Sequence, residues 1–264
     1  MYKNNIYITE GERRRKNVKN IMLKLFALFL FICFGTLVSG AQLLLDQPIV
    51  EGGRLRPGEV LEYSVKVKGI PAGTQTMQIN GKELLRGREV YHVESTSTAN
   101  RFFYLLYPFS DRSESFILSK ELCPLSYKRD IRDGGYRGSI TVDFDDAKQV
   151  ARVVKDQKRM ELRVPDGIQD ELSMIYLVRT KKIDVGKEYE FPALIGGTRA
   201  LRVGIAVLRV ENIKTIFGTI KTIVVKSIPR DVTMWMTQDS ARIPVRMEVS
   251  TKIGKLVADL KSVR

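Results

Sequence analysis

The chain has 264 residues, of which 44% are hydrophobic and 28% charged, and its formal net charge is +14. These proportions are typical of a globular protein and exclude a disordered or fibrous chain. Basic and acidic residues are interspersed, and no aromatic-and-basic ladder or nucleic-acid motif is present, so we expect no nucleic-acid partner. Such mixing is typical of solvated strand faces, with attraction to anionic lipid or glycan as the functional alternative.

The N-terminal segment has the three parts of a secretory signal peptide. A basic stretch precedes an apolar run over Leu25–Val38, and small residues ending at Ala41 follow it. The run holds 14 residues, whereas a membrane-spanning helix needs about 20. We therefore predict a cleaved signal peptide over residues 1–41, a periplasmic location and no stable membrane span after cleavage.

Three further features bear on processing and redox state. Met22 would begin a complete signal by itself, so residues 1–21 are interpreted as a start-site extension. Cys33 follows bulky residues and does not fit a lipidation site. Removal of residues 1–41 leaves Cys123 as the sole cysteine, which excludes an intramolecular disulfide. Its apolar neighbourhood predicts a buried, inert thiol.

Period-2 alternation predicts strands from residue 55 onward. In Leu61–Val67, apolar and polar side chains alternate as in a half-buried antiparallel strand. Gly69–Gly73 is interpreted as a turn or bulge because Pro71 cannot donate to a sheet ladder. Asn80-Gly81 predicts a hairpin turn. Further strands are predicted over 89–98, 112–118, 124–132, 137–144, 149–155, 187–194, 199–213, 218–228, 232–238, 244–251 and 255–261.

Two segments have helical character. Ala99–Tyr107 predicts a short helix, and a second helix is predicted over about 167–181, with Asp166 as its cap. Leu172 and Ile175 should pack this second helix against a sheet. The element order predicts one mainly β domain over residues 42–264, in which a large antiparallel meander forms a curved sheet or half-open barrel with one central helix.

Four segments, in this order, resemble the DUF3108 family of exported Gram-negative proteins of unknown function. They are GEVLEYSVKVKGIPAG (58–73), YPFSDRSESF (107–116), IQDELSMIYLVR (168–179) and WMTQDSARIPVRMEV (235–249). The resemblance covers most of residues 57–261. It implies a periplasmic location and a β-rich fold, and it implies no reaction.

Signals for catalysis are sparse, and we predict that the protein is not an enzyme. His92, the only histidine, shares the polar face of its strand and is interpreted as a solvated residue. One histidine and one cysteine argue against a transition-metal site, and we expect neither metal nor cofactor. The acidic pairs Asp145/Asp146 and Asp170/Glu171 are interpreted as a hairpin turn and a first helical turn.

Four residues form the candidate ligand-binding set: Trp235, Tyr176, Arg179 and Asp239. The single tryptophan is either a core residue or a pocket wall, and alternation places it on the face opposite its flanking methionines. We expect it to be buried in the core. Arg179 could hold an anionic ligand bidentately, or it could pair with a carboxylate such as Asp111 or Asp239.

These features support three hypotheses about function. The first is a periplasmic, non-enzymatic binding or carrier module for an apolar or anionic envelope ligand. The second is a structural or assembly factor that binds an envelope protein, and the third is a glycan-acting hydrolase. The partner would accordingly be a lipid, a glycan or a protein. A cavity of several hundred Å³ on the concave face would favour the carrier, and a packed interior the assembly factor.

Overall fold

The computed structural model describes residues 41–50, 55–228, 232–251 and 254–264. Apart from Ala41, the predicted signal peptide lies outside the described residues, as do Met22 and Cys33. Within these described ranges, no helix is long and apolar enough to cross a membrane.

The described residues form fifteen strands, two α-helices and one short 3-10 turn over Leu44–Asp46. Helix α1 covers Arg101–Leu106 and helix α2 covers Ser173–Thr180. The strands are β1 (Gln42–Leu43), β2 (Val60–Val67), β3 (Ile70–Leu85), β4 (Arg88–Ala99), β5 (Phe109–Leu118), β6 (Pro124–Asp133), β7 (Tyr136–Asp145), β8 (Val150–Lys155), β9 (Lys158–Arg163), β10 (Glu188–Ile195), β11 (Arg199–Thr215), β12 (Gly218–Ile228), β13 (Val232–Thr237), β14 (Pro244–Thr251) and β15 (Gly254–Val263).

All fifteen strands belong to one open sheet. Strands β2 to β9 form one antiparallel meander and β10 to β15 form another, and the pairing of β15 with β2 joins the two. The two-residue strand β1 adds a parallel edge to β10, so that β1 and β9 are the edges of the sheet. The predicted mainly β meander is therefore confirmed.

Irregular pairing bends this sheet into a half-open barrel. Register shifts mark β-bulges in six strand pairs: β2–β3, β3–β4, β5–β6, β11–β12, β13–β14 and β15–β2. Each bulge increases the local right-handed twist. The curvature brings the β10–β11 turn against β7, where a Cβ on Gly197, whose φ is +67°, would lie 2.7 Å from Ile140 Cγ2. Lys155 Nζ donates to the Gly196 carbonyl in the same turn at 3.1 Å.

Helix α2 lies inside the curve and supplies side chains to two apolar clusters. Tyr176 and the preceding Leu172 belong to a cluster with residues of β2–β8, β10 and β12–β15. Met174, Leu177 and Val178 pack against β10–β12. Leu172 is buried as expected, and Ile175, which contacts both clusters, is half-buried.

The second helix begins later than the sequence predicts. It starts at Ser173, and its N-terminal backbone N–H groups are capped by Asp170 rather than Asp166. The preceding residues are held by the sheet instead. Gln169 donates its N–H to the Pro192 carbonyl at 2.9 Å and accepts from the Leu194 N–H at 2.8 Å. Tertiary pairing with β10 therefore overrides the local helical pattern.

The predicted hairpin at Asn80-Gly81 is also wrong. Strand β3 continues through this pair to Leu85, with Ile79 opposite Val93 and Gly81 opposite His92, so that Asn80 is the extra residue of a bulge. The long neighbouring strand β4 offers backbone partners beyond the pair and keeps the chain extended.

Strand β9 was not predicted, because its mostly charged residues show little apolar alternation. Helix α1 confirms the predicted short helix.

Candidate functional site

Two of the four predicted ligand-binding residues, Tyr176 and Arg179, lie together inside the barrel. The guanidinium carbon of Arg179 is 5.4 Å from the centre of the Tyr176 ring. Its Nη1 and Nη2 donate to the two carboxylate oxygens of Glu59 at 2.8 and 2.9 Å, and both side chains are buried. The expected pairing of Arg179 with a carboxylate is confirmed, but the partner is Glu59 rather than Asp111 or Asp239. The bidentate face of this arginine is occupied by an internal carboxylate just before β2.

Asp239 lies in the turn between β13 and β14 and shapes that turn. Its Oδ1 accepts from Thr237 Oγ1 at 2.7 Å, from the Ala241 N–H at 3.1 Å and from the Arg242 N–H at 3.2 Å. The Ala241 carbonyl accepts from Arg179 Nη2 at 3.2 Å. This turn therefore anchors the buried arginine through its backbone rather than through Asp239.

Trp235 is buried, as expected, in the large apolar cluster that also contains Leu172 and Tyr176. It shares its face with its cross-strand partners Val224 and Arg246, and its indole N–H donates to a carboxylate oxygen of Glu211. The side chain is 8% exposed. Met236, the next residue of β13, belongs to the cluster that contains Met174, Leu177 and Val178 of α2. The four predicted residues thus do not converge on one site.

A small cavity lies between the start of α2 and the sheet. It lies on the β4–β6 side and has a volume of about 50 Å³, which is room for about one or two water molecules. This inner polar cavity is lined by Ser95, Ser97, Asp111, Ser113, Tyr127, Glu171, Leu172 and Ile175. Beside it, Arg129 donates to both oxygens of Asp111 at 2.9 and 2.6 Å, and both partners are buried.

The adjacent acidic pair, Asp170 and Glu171, is buried rather than solvated as its predicted helical position implied. Ser115 Oγ donates to Asp170 Oδ2 at 2.6 Å, and the Gly196 N–H donates to Glu171 Oε1 at 2.6 Å. Burial raises the pKa of Asp170 to about 7 and also raises the pKa of Glu171. These carboxyl groups tie the start of α2 to β5 and to the β10–β11 turn.

A larger recess, here called the outer groove, crosses β4–β7 on the face away from α2. Its volume is about 630 Å³. The register places its side chains in two cross-strand rows, because directly paired residues share a face. The first row is Thr96, Arg112, Asp130 and Ser139, and the second is Ser110, Arg132 and Arg137. Asp156 and Gln157 from the β8–β9 turn complete the lining, together with Asp111, Ile131 and Gly138.

The three arginines of the outer groove differ in how far they are engaged. Arg112 forms ion pairs with Glu94 at 3.0 Å and with Glu114 at 2.8 Å. Arg132 Nη1 donates to the Tyr104 hydroxyl at 2.8 Å. Arg137 is exposed, and no ion pair to it is formed within the part of the chain that the structure describes. Arg137 is therefore the cation best placed to meet an anionic ligand.

The carboxylates at the groove have local structural roles. Asp156 accepts from the Ser139 N–H at 2.9 Å and from the Tyr136 hydroxyl at 3.0 Å. The Ser139 bond is the main cause of the lowered pKa of Asp156, which keeps this carboxylate charged. Asp130 lies 3.4 Å from Lys128 Nζ.

His92 and Cys123 carry groups that can be reactive, and both side chains are partly buried. His92 is half-buried rather than fully solvated, and its ring stacks on Phe116 with 4.5 Å between centroids. Cys123 is half-buried, and burial raises its thiol pKa to about 11, which disfavours the reactive thiolate. Across the described ranges, no three His, Cys, Asp or Glu side chains lie close enough together to hold a metal ion.

Sequence reasoning missed the groove arginines Arg112, Arg132 and Arg137, and it missed Glu59 as the partner of Arg179. Polar residues at alternate positions of β5–β7 are the signal that could have found the groove. This pattern indicates a shared groove only when the register between the strands is known.

The comparisons with known proteins identify a family and a fold. The model of the family described as "Protein of unknown function (DUF3108)" matches residues 62–261. No curated protein matches the sequence. The β-barrel-like DUF1849 protein of Brucella abortus is 10% identical, with a TM-score of 0.54, and the match covers 80% of this chain and 98% of that one. At this identity the likeness concerns the fold alone.

Two further solved structures are more distant. A candidate lipoprotein of Parabacteroides distasonis is 13% identical with a TM-score of 0.35, and the match covers 83% of this chain and 100% of that one. A candidate exported protein of Bacteroides fragilis with a YmcC-like fold is 12% identical with a TM-score of 0.32, over 80% and 97% of the two chains.

Proposed function

Because the chain belongs to the DUF3108 family, whose function is unknown, we propose from its geometry that it is a non-enzymatic envelope protein that binds a short anionic glycan in the outer groove. The observation that carries this proposal is the exposed Arg137, which forms no ion pair within the described residues and lies in a recess of about 630 Å³. The periplasmic location that the proposal assumes is supported by the N-terminal sequence pattern.

The size and lining of the groove favour a sugar over an apolar ligand. Ligand sites typically have volumes of about 300–1,000 Å³, and the groove falls within that range. Its walls carry hydroxyl groups from Thr96, Ser110 and Ser139, which can donate to and accept from sugar hydroxyls. The guanidinium of Arg137 can hold a carboxylate bidentately. A uronic acid oligosaccharide supplies both kinds of group.

The small size of the inner polar cavity gives less support to a carrier for apolar ligands. The inner polar cavity of about 50 Å³ is far smaller than a lipid chain requires. The same small volume favours the second candidate, an assembly factor that binds an envelope protein. Edge strand β9, however, is dominated by exposed charged residues, which oppose the addition of a partner strand. We therefore place the glycan-binding proposal first.

The glycan-hydrolase hypothesis has the least support from the acidic pairs. Asp170 and Glu171 are buried and hold the start of α2. Asp145 and Asp146 are engaged by arginines at 3.3 and 2.6 Å. A hydrolase needs two carboxyl groups facing one substrate across a cleft.

The test is calorimetric titration of the protein with a galacturonic acid trisaccharide. We expect saturable binding that Arg137→Ala weakens about tenfold to a hundredfold, the usual effect of losing a charge-assisted bidentate contact. The matched control is Arg163→Ala, which removes an exposed arginine from the distant end of β9. The Arg163→Ala variant should bind the trisaccharide as tightly as the wild type does. The wild type should bind neutral galactotriose more weakly than the acidic trisaccharide.

Three results would contradict the proposal. One is the absence of saturable binding to the acidic trisaccharide. Another is equal affinity of the wild type and the Arg137→Ala variant, which would place the sugar elsewhere. The third is equal affinity for the acidic and neutral sugars, which would remove the role of the guanidinium charge.

A further inference from the structure

The end of the sheet that carries α1 exposes three apolar side chains close together. Ile70 is 60% exposed, Phe102 is 67% exposed and Leu105 is 77% exposed. Phe102 and Leu105 are three residues apart and share one face of α1. Asn100 Nδ2 donates to the Pro71 carbonyl at 2.8 Å, which holds the start of α1 beside Ile70. These three residues are called the apolar patch.

The exposure of the patch follows from the way α1 is fixed. Asn100 Oδ1 caps the helix by accepting from the Phe103 N–H at 2.9 Å, and Phe103 packs against the core. At the other end of the helix, the Tyr107 hydroxyl donates to the buried Asp133 at 2.6 Å. Because Phe103 points inward, Phe102 and Leu105 point away from the core.

Positive charge surrounds the patch. Lys68 is exposed two residues before Ile70, and Arg101 is exposed next to Phe102 in the chain. Two carboxylates at this end are already engaged: Asp133 is buried and accepts from the Tyr107 hydroxyl, and Asp156 accepts two hydrogen bonds. This end therefore combines exposed apolar side chains with two exposed cations that form no ion pair within the described ranges.

We propose that the apolar patch, with Lys68 and Arg101, docks on an anionic phospholipid surface. A bilayer matches both features, because its acyl boundary accepts apolar side chains and its phosphates attract cations. Phe102 and Leu105 enter the headgroup region, and the two cations stay at the level of the phosphates. This surface is distinct from the outer groove, so the inference goes beyond the proposed glycan binding.

The test measures binding of the protein to vesicles by cosedimentation. The wild type should bind vesicles of mixed phosphatidylglycerol and phosphatidylcholine, and added salt should weaken this binding by screening. Much less of the protein should bind to vesicles of pure phosphatidylcholine. Lys68→Gln and Arg101→Gln should each weaken binding to the mixed vesicles about fivefold, the share expected of one cation near an anionic surface.

The decisive variant removes the apolar contribution. Phe102→Ser combined with Leu105→Ser should weaken binding at least about tenfold, because two large side chains no longer leave water. Leu84→Ser is the matched control, since Leu84 is also 77% exposed. It lies at the opposite end of the β3–β4 hairpin, roughly 35 Å away by strand length, and should bind like the wild type.

Thermal unfolding confirms that each variant is folded, and all variants carry the same N-terminus as the wild type. The double variant should keep trisaccharide binding, so failure of either proposal can be told from failure of the other. Equal binding to both vesicle types, wild-type binding by the double variant, or an equal loss in Leu84→Ser would overturn the docking proposal. So would the absence of vesicle binding at low salt, a result that would point to a protein partner.

Discussion

Replacing Asp170 with asparagine should remove a pH dependence of stability that this carboxyl group builds into the fold. The side chain is 1% exposed, and burial raises its pKa from an ordinary 3.8 to about 7. Between these two values, the folded chain holds a proton that the unfolded chain releases. The contribution of Asp170 to stability is therefore fully present below about pH 4 and is lost as the pH rises through about 7.

The magnitude follows from the size of the shift. About three pKa units correspond to a fall of at most ~4 kcal/mol in the free energy of unfolding between acidic and mildly alkaline pH. Asparagine is neutral and nearly the same shape. Its oxygen can still accept from the N–H groups of Leu172 and Ser173, and its amide can donate to Ser115 Oγ. Asp170→Asn should thus match the wild type at low pH and exceed its stability above about pH 7.

The assay is urea unfolding followed by the fluorescence of Trp235, the only tryptophan. The difference between variant and wild type isolates Asp170 from Glu171 and Asp133, whose pKa values are also raised. Asp156→Asn is a contrasting variant, because the lowered pKa of Asp156 predicts a loss of stability at neutral pH. An Asp170→Asn protein that is less stable than the wild type above about pH 7 would refute the reasoning. That result would mean that the charged carboxylate of Asp170 stabilises the start of α2.

Two further predictions concern buried contacts. Arg179→Met should lower the free energy of unfolding by ~3–5 kcal/mol in urea, because Glu59 would be left charged and buried, and adding Glu59→Leu should recover most of that loss. Trp235→Phe should fold with a loss of about 1–3 kcal/mol, since the hydrogen bond to Glu211 disappears and the smaller ring leaves part of its buried space unfilled. Fatty acids should leave the fluorescence of Trp235 unchanged, and saturable quenching would show instead that its ring lines a ligand site.

Much of the fold could be predicted from the sequence because its causes are local. Alternation in Leu61–Val67 is the pattern of a strand with one buried face, and the structure buries one face of β2. Alternation also separates Trp235 from Met236, and the two side chains belong to different apolar clusters. The segments that resemble DUF3108 carried the family assignment, which the match over residues 62–261 confirms.

Tertiary structure decided where strands continue and which charges meet. Asn80-Gly81 has the residues of a hairpin, yet β3 runs through it because β4 supplies backbone partners beyond it. Gln169 lies in a helical pattern, yet it pairs with the backbone of β10. Glu59 and Arg179 are 120 residues apart in the chain. Local spacing cannot rank carboxylates at such separations, so the arginine's partner was predicted wrongly.

The same distinction applies to the outer groove and to the buried acids. Arg112, Arg132 and Arg137 come from three strands, and each alone has the pattern of a solvated strand residue. Asp170 and Glu171 have the composition of an exposed first helical turn, but the curvature of the sheet places them against β5 and the β10–β11 turn. A sequence specifies which side of a strand a residue faces through a period of two residues. What covers that side depends on register and curvature, which arise from contacts between distant strands.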